Sequence, residues 1–259
     1  MNSYFKYKNQ IMKNLFVFLF AIIATLAIGQ DYVMYETHTL TPKEGHVQAL
    51  EEAVANHNKL YHAEGPYENF IFSILNGPRS GDLLFAMGSC TFSQLDGRPS
   101  SEAHNKDWNA VLSHCEGGGK NLEYWRLVEE LSYDPKDISS ATKPLCRVRF
   151  FDVSDNAGFR EMQAQFRKVD EAMGTKTPSF MYRNQFQNRQ GRDWAIVTWF
   201  DSWADLDAGS WDAWKETFIK LYGEDGWKKL GDEYDDIILS REDEMRARRL
   251  DLQAPAKKE

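Results

Sequence analysis

The sequence predicts an α+β protein made of two successive βαββαβ units, on the strength of three features. The first is an amphipathic stretch at residues 41–62 (TPKEGHVQALEEAVANHNKLYH), whose stripe Val47, Leu50, Val54, His57 and Tyr61 has helical spacing. The second is the return of that stripe, member by member at one constant offset, as Phe159, Met162, Phe166, Val169 and Met173. The third is a short echo, Phe92 to Asp96 (FSQLD) against Trp203 to Asp207 (WADLD), at an offset one position shorter. A period this long points to a duplicated unit and not to a solenoid.

The first unit, residues 30–140, opens on a strand from Tyr32 to Leu40. Thr41, Pro42 and Glu44 make a capping-box pattern that starts the first helix at Thr41. Asn69 to Leu75 and Leu83 to Thr91, joined by Asn76-Gly77-Pro78-Arg79-Ser80-Gly81, read as a hairpin. A helix near Ala103 to His114 and a strand near Leu127 to Tyr133 follow. Between them, Gly117-Gly118-Gly119-Lys120 reads as a turn, because it lacks the preceding strand and following Ser or Thr of a phosphate loop.

The second unit, residues 141–240, repeats the order. It has a strand Cys146 to Val153, a helix Asn156 to Met173, a strand Ser179 to Phe186, a turn Gln187 to Arg192 and a strand Trp194 to Phe200. A helix Trp211 to Tyr222 and a closing strand Asp236 to Ser240 complete it. Residues 241–259 are mostly charged and read as a frayed tail.

Residues 1–29 carry an export signal: a lysine at 13, an apolar run from Leu15 to Ile28, and small residues Ala27 and Gly29 before the cleavage point. The run is shorter than the roughly 20 residues needed to span a bilayer. Met12 begins a more typical signal than Met1. Cleavage removes Lys6, Lys8 and Lys13 and no acid, taking the formal charge from −8 to −11. A protein this acidic repels phosphate backbones and anionic lipid, so neither nucleic acid nor, after signal cleavage, membrane is an expected partner. Cys90, Cys115 and Cys146 match no metal spacing and read as buried small hydrophobes, with at most one bridge among them.

A four-stranded βαββαβ sheet has its helices on one face and leaves the other bare, and two copies can bury those faces together. With the duplicated stripe and the aromatic-x-x-Leu-Asp step after each third strand, this order resembles the dimeric α/β barrel superfamily. The resemblance covers most of residues 31–240. It implies two tandem ferredoxin-like repeats packed sheet to sheet as a pseudo-dimeric α/β barrel. Its activities include cofactor-free monooxygenases, haem-degrading enzymes, haem peroxidases, chlorite-dismutase-like proteins and small isomerases, and no motif here selects among them. It also implies a ligand cleft between the sheet and the helices of one unit.

Comparing the units at the offset of the helix stripes pairs Met34, Glu36 and His38 with Cys146, Val148 and Phe150, and His57 with Val169. The apolar set is expected to face the helices, which would bring Glu36, His38 and His57 together in the first unit's cleft. Two imidazoles and a carboxylate suit a divalent metal with open positions, a haem ligand, or a base toward a phenolic or enolic substrate. The competing reading makes His57 a hydrogen-bonded core residue. Tyr61 would shape the cleft. Arg147 and Arg149, on the opposite strand face beside Tyr35 and Thr37, would face the seam between the units and bind an anion or pair with buried acids. Trp194, Trp199, Trp203, Trp211 and Trp214 read as core or as an aromatic pocket. His104 reads as a surface residue.

The functional expectation is an exported small-molecule-binding barrel, monomeric, and a monooxygenase-like enzyme acting on an aromatic or planar substrate. In it Glu36, His38 and His57 would be catalytic, and Tyr35, Tyr61, Arg147 and Arg149 would touch substrate. The alternatives are a non-catalytic ligand-binding or interaction module and a haem-binding protein. Composition and spacing leave the cofactor and metal open.

Overall fold

The computed structural model describes residues 32–254 except 99, 120, 136–141 and 187–190. The expected export signal, Lys120 and most of the turn expected at Gln187 to Arg192 lie outside the described residues. Eight strands form: β1 (Met34–Leu40), β2 (Asn69–Ile74), β3 (Leu83–Cys90), β4 (Leu122–Leu127), β5 (Leu145–Val153), β6 (Ser179–Asn184), β7 (Trp194–Phe200) and β8 (Ile238–Arg248). They close into one barrel in the order β1-β3-β2-β8-β5-β7-β6-β4, with every neighbouring pair antiparallel. Closure gives each of these eight described strands a neighbour on both sides.

The helices lie outside the barrel wall. Helices α1 (Val47–Tyr61), α2 (Phe92–Asp96) and α3 (Glu102–Ser113) belong to the first half, and α4 (Asn156–Met173) and α5 (Trp211–Ile237) to the second. Leu50 and Val54 of α1 and Val111 of α3 bury against Leu40, Ile71 and Phe85 of the wall. Phe159 and Met162 of α4 and Ile237 of α5 bury against Phe151, Val153 and Trp194. A third cluster, including Phe72, Trp125, Cys146, Val148 and Phe150, fills part of the barrel interior. Cys90, Cys115 and Cys146 are buried, unbridged thiols. No helix among the described residues is long and apolar enough to cross a membrane.

Several elements depart from the sequence expectation. The first helix starts at Val47 and not at Thr41. Pro42 is instead bridged to Cys115, and Gly45, at φ +76°, takes a left-handed conformation that interrupts a helix. The strand expected near Leu127 to Tyr133 lies earlier, at Leu122–Leu127, where it pairs with both β1 and β6. The helix expected to end at Tyr222 continues to Ile237 across a break at Gly223, whose φ of +77° is open to glycine.

The strand expected at Asp236 to Ser240 and the frayed tail after it are corrected together. Residues 238–248 form one strand that closes the barrel between β2 and β5. Two of its acids are paired with arginines. Glu244, 1% exposed, accepts hydrogen bonds from the Arg79 and Arg246 guanidinium groups, and Asp243 accepts two from Arg149 at 2.7 and 2.8 Å.

The expected strand faces hold for β1 and fail for β5. Glu36 and His38 lie on the helix side, but Cys146, Val148 and Phe150 face the barrel interior and Arg147 and Arg149 face outward. The two arginines therefore do not face a seam. The ladders show why. Glu36 pairs with Met87 and Arg147 with Thr198, and those partners stand at the shorter offset of the Phe92 and Trp203 echo, as do the caps Thr91 and Ser202. At that shorter offset Glu36 aligns with Arg147 and His38 with Arg149. A slip of a single position reverses every side chain on a strand.

Replacing Glu244 with alanine would leave two guanidinium groups without their counter-charge. Glu244→Ala is expected to lower unfolding free energy by about 3 kcal/mol or more, read from the urea midpoint; a loss below about 1 kcal/mol would contradict this account.

Candidate functional site

His57 on α1, His104 and Asp107 on α3, and His62 just beyond α1 build a polar cluster. On α1, Leu50, Val54 and His57 share the buried face, and His57 is 0% exposed. The helix ends at Tyr61, and His62, at φ −130°, leaves the helical path. On α3, Ser101 caps the first turn by accepting from His104 N at 3.0 Å. His104, Asp107, Trp108 and Val111 then fall three and four apart on one face.

The imidazoles of His57, His62 and His104 converge, with one ring nitrogen from each within 4.8 Å of the others. His57 Nδ1 lies 2.7 Å from Asp107 Oδ2, and His62 Nδ1 lies 2.7 Å from the Tyr67 carbonyl. A carboxylate and a carbonyl only accept, so both Nδ1 atoms carry a proton, and in the neutral rings both Nε2 atoms then present lone pairs. Those two Nε2 atoms face each other at 3.2 Å. His104 Nδ1 is buried with no hydrogen-bond partner among the described residues. Burial lowers the His57 pKa, against an opposing hydrogen bond to Asp107, and burial lowers His62 to about 4. Both shifts favour the neutral rings of His57 and His62.

Glu36 and His38 form a second cluster. Glu36 is 2% exposed and is bound by Arg98, with His38 Nε2 3.4 Å away. Burial alone would raise its carboxyl, but hydrogen bonds from His38 and Arg98 and the Arg98 charge outweigh it and bring the pKa to about 2. Trp108 packs against both clusters, with its ring 5.1 Å from His57 and 5.6 Å from His38. The expected trio of Glu36, His38 and His57 is thus divided, with His57 joining His62 and His104 instead. Tyr61 does flank the site, its ring 5.1 Å from His57 and 4.8 Å from His104.

The other candidates disperse. Tyr35 lines the barrel interior. Arg149 is committed to Asp243, and Arg147 lies over the Phe200 ring at 5.9 Å. Trp194 is core and Trp199 lines the interior, while Trp203 and Trp211 are exposed. His104, read from sequence as a surface residue, is half-buried in the cluster. The signal that could have found it is its i, i+3, i+4 spacing to Asp107 and Trp108.

The cleft between this sheet and its helices does not fit a haem. His57, Phe85 and Trp108 fill it, with Phe85 and Trp108 ring centroids 5.0 Å apart. A macrocycle would have to displace the buried Phe85 and His57 and the partly buried Trp108.

No protein-family model matches the chain, and no curated protein matches it. Solved structures do. An anthrone oxidase-like protein superposes with a TM-score of 0.56 at 10% identity, covering 85% of this chain and 92% of its own. A candidate monooxygenase from Fusobacterium nucleatum subsp. nucleatum gives 0.51 at 9% identity, covering 85% and 93%. A candidate chlorite dismutase gives 0.51 at 10% identity, covering 85% and 96%. The chain has the fold of the dimeric α/β barrel superfamily, and at these identities the likeness is one of fold.

The depressed Glu36 carboxyl links stability to pH. Its folded value lies below the unfolded value of about 4.3, so its contribution is present above that pH and is lost as pH falls toward 2. The stability difference between wild type and Glu36→Gln is expected to be on the order of 2 kcal/mol at pH 6 and to shrink steadily between pH 4.5 and 2. A pH-independent difference in chemical unfolding would contradict this.

Proposed function

We propose that the protein is a small-molecule oxidoreductase whose reaction centre is a divalent first-row transition metal held by His57, His62 and His104. The observation that carries this reading is the 3.2 Å approach of the His57 and His62 Nε2 atoms while both Nδ1 atoms donate elsewhere. Lone pair against lone pair is repulsive, and a cation between them turns that repulsion into coordination. Nitrogen ligands about 2.0–2.1 Å from a tetrahedral metal stand about 3.3–3.4 Å apart, close to the spacing seen. Three imidazoles suit zinc, copper, iron or nickel and leave a position open.

When bound, such a metal supplies Lewis acidity and, if it is iron or copper, one-electron chemistry. The chain's own groups do the rest. Asp107 and the Tyr67 carbonyl fix the tautomer and orientation of His57 and His62, as acceptors behind metal-bound histidines do. Trp108 excludes water from the buried side, and Tyr61 walls the cluster beside His104. The choice of oxidoreductase takes its lead from neighbours described as anthrone oxidase-like and as a candidate monooxygenase. Complete burial of His57 favours a second reading, a structural metal that staples α1 to α3.

The same reading holds that the chain is two fused ferredoxin-like repeats, exported with residues 1–29 removed and monomeric. Its support is the strand order, with β4-β1-β3-β2 contiguous in one arc of the barrel and β8-β5-β7-β6 in the other, together with the apolar run at 15–28.

Titrating metal-free protein with cobalt(II) and zinc(II) is expected to give one tight equivalent and a tetrahedral cobalt spectrum. His62→Ala and His104→Ala should each abolish both, and Asp107→Asn should weaken binding about 10–100-fold. Full binding by the double histidine variant would remove the reading. Oxygen uptake by iron- or copper-loaded protein with anthrone or a hydroquinone, absent in His104→Ala, separates the enzyme from the structural staple.

A further inference from the structure

The barrel interior holds a cavity of about 390 Å³ that the histidine cluster does not touch. Its walls are aromatic: Trp125 lies 5.6 Å from Phe150, Phe72 lies 5.9 Å from Trp199, and Tyr35 lies 6.0 Å from Tyr182. Set into those walls are Arg192, Arg246 and Arg248.

The charges in this cavity are unevenly matched. Arg192 is 7% exposed, lies 3.7 Å over the Phe150 ring, and reaches Glu123 only at 3.3 Å. Its Nε is buried and has no acceptor among the described residues. Arg246, also 7% exposed, shares the single carboxylate of Glu244 with Arg79, and the two lie 5.5 and 5.8 Å from the same Phe150 ring. Three guanidinium groups thus gather about Phe150 with two carboxylates, Glu123 and Glu244. Burial pushes the Arg192 pKa down to about 10, against the opposing charge of Glu123. A buried cation with a donor left over is costly unless an anion reaches it.

We propose that the barrel interior is a binding site for a planar aromatic carboxylate, whose ring lies among the aromatic walls and whose carboxylate is received by Arg192 beside Phe150. Guanidinium groups bind carboxylates through paired, charge-assisted hydrogen bonds, and aromatic walls favour a flat ring over an aliphatic chain. The site is distinct from the metal centre: its lining comes from the inward faces of the strands, whereas the histidines lie outside the wall. It is also distinct from the sheet–helix cleft that the sequence resemblance implied.

The test uses the full chain and two isosteric probes, 2-naphthoate and the neutral 2-naphthamide, followed by calorimetry and tryptophan fluorescence. Naphthoate is expected to bind once per chain and quench fluorescence, with the amide at least about tenfold weaker because it cannot pair with a guanidinium. Val197→Trp, which fills the cavity, should abolish naphthoate binding. The double variant Glu123→Gln with Arg192→Gln removes both charges together and should bring the two probes to similar affinity. His62→Ala should bind naphthoate as wild type does, which keeps this result separate from that of the metal. Absence of naphthoate binding at millimolar concentration, equal affinity for the amide in wild type, or unchanged binding by a folded Val197→Trp would each overturn the proposal.

Discussion

The buried carboxylate of Glu244, held between Arg79 and Arg246, is the interaction on which the barrel's closure depends. Strand β8 carries the run Ser240-Arg241-Glu242-Asp243-Glu244-Met245-Arg246 into a wall whose other strands are largely apolar. Placing that run in a barrel puts alternate charges inside, and a charge there is tolerable only if it is paired. Arg79 reaches Glu244 from the β2–β3 hairpin, so the pairing also ties β8 to the first half. Beyond β8 the chain stays docked: Asn58 on α1 donates to Leu252 O at 2.7 Å, and Arg249 reaches Glu51 and Asp251. The helix that carries His57 is thus held from below by the wall and from the side by the C-terminal segment.

Much of the architecture is legible in the sequence because it rests on periodicity. The expected bounds at 156–173 and 194–200 are the ones the structure shows, where a clean stripe or a continuous β-branched and aromatic run leaves little choice. The main errors have two causes. A charged run looks solvated when its partners lie far off along the chain, and so Arg149–Asp243 and Arg79–Glu244 are invisible in the sequence. Glu36 and His38 are set against Val148 and Phe150 only when the offset of the helix stripes is carried to the strands, whose ladder partners Met87 and Thr198 stand one position closer.

The site is half legible for a related reason. His57 stands out as a polar member of an apolar stripe, which a single helix reveals. His104 belongs to a helix whose relation to α1 is set by tertiary packing, and its local mark is the three- and four-residue spacing to Asp107 and Trp108. His62 lies just past the end of a helix, where periodicity no longer says which way a side chain turns. A convergent cluster from two helices and a loop is visible only once those elements have been placed.

Barrel closure also sets an order in time. The wall is completed by the pairings of β2 with β8 and of β4 with β6, and β8 is made last of these eight strands. Until it leaves the ribosome, β2 presents an open edge of peptide donors and acceptors, a template for pairing with another chain. Phe72 must wait for Arg248 at the far end of the chain, so the closing step brings distant segments together before any of its contacts stabilise it. The same seam that pairs β2 in the finished molecule leaves its edge open in the nascent one until β8 is made.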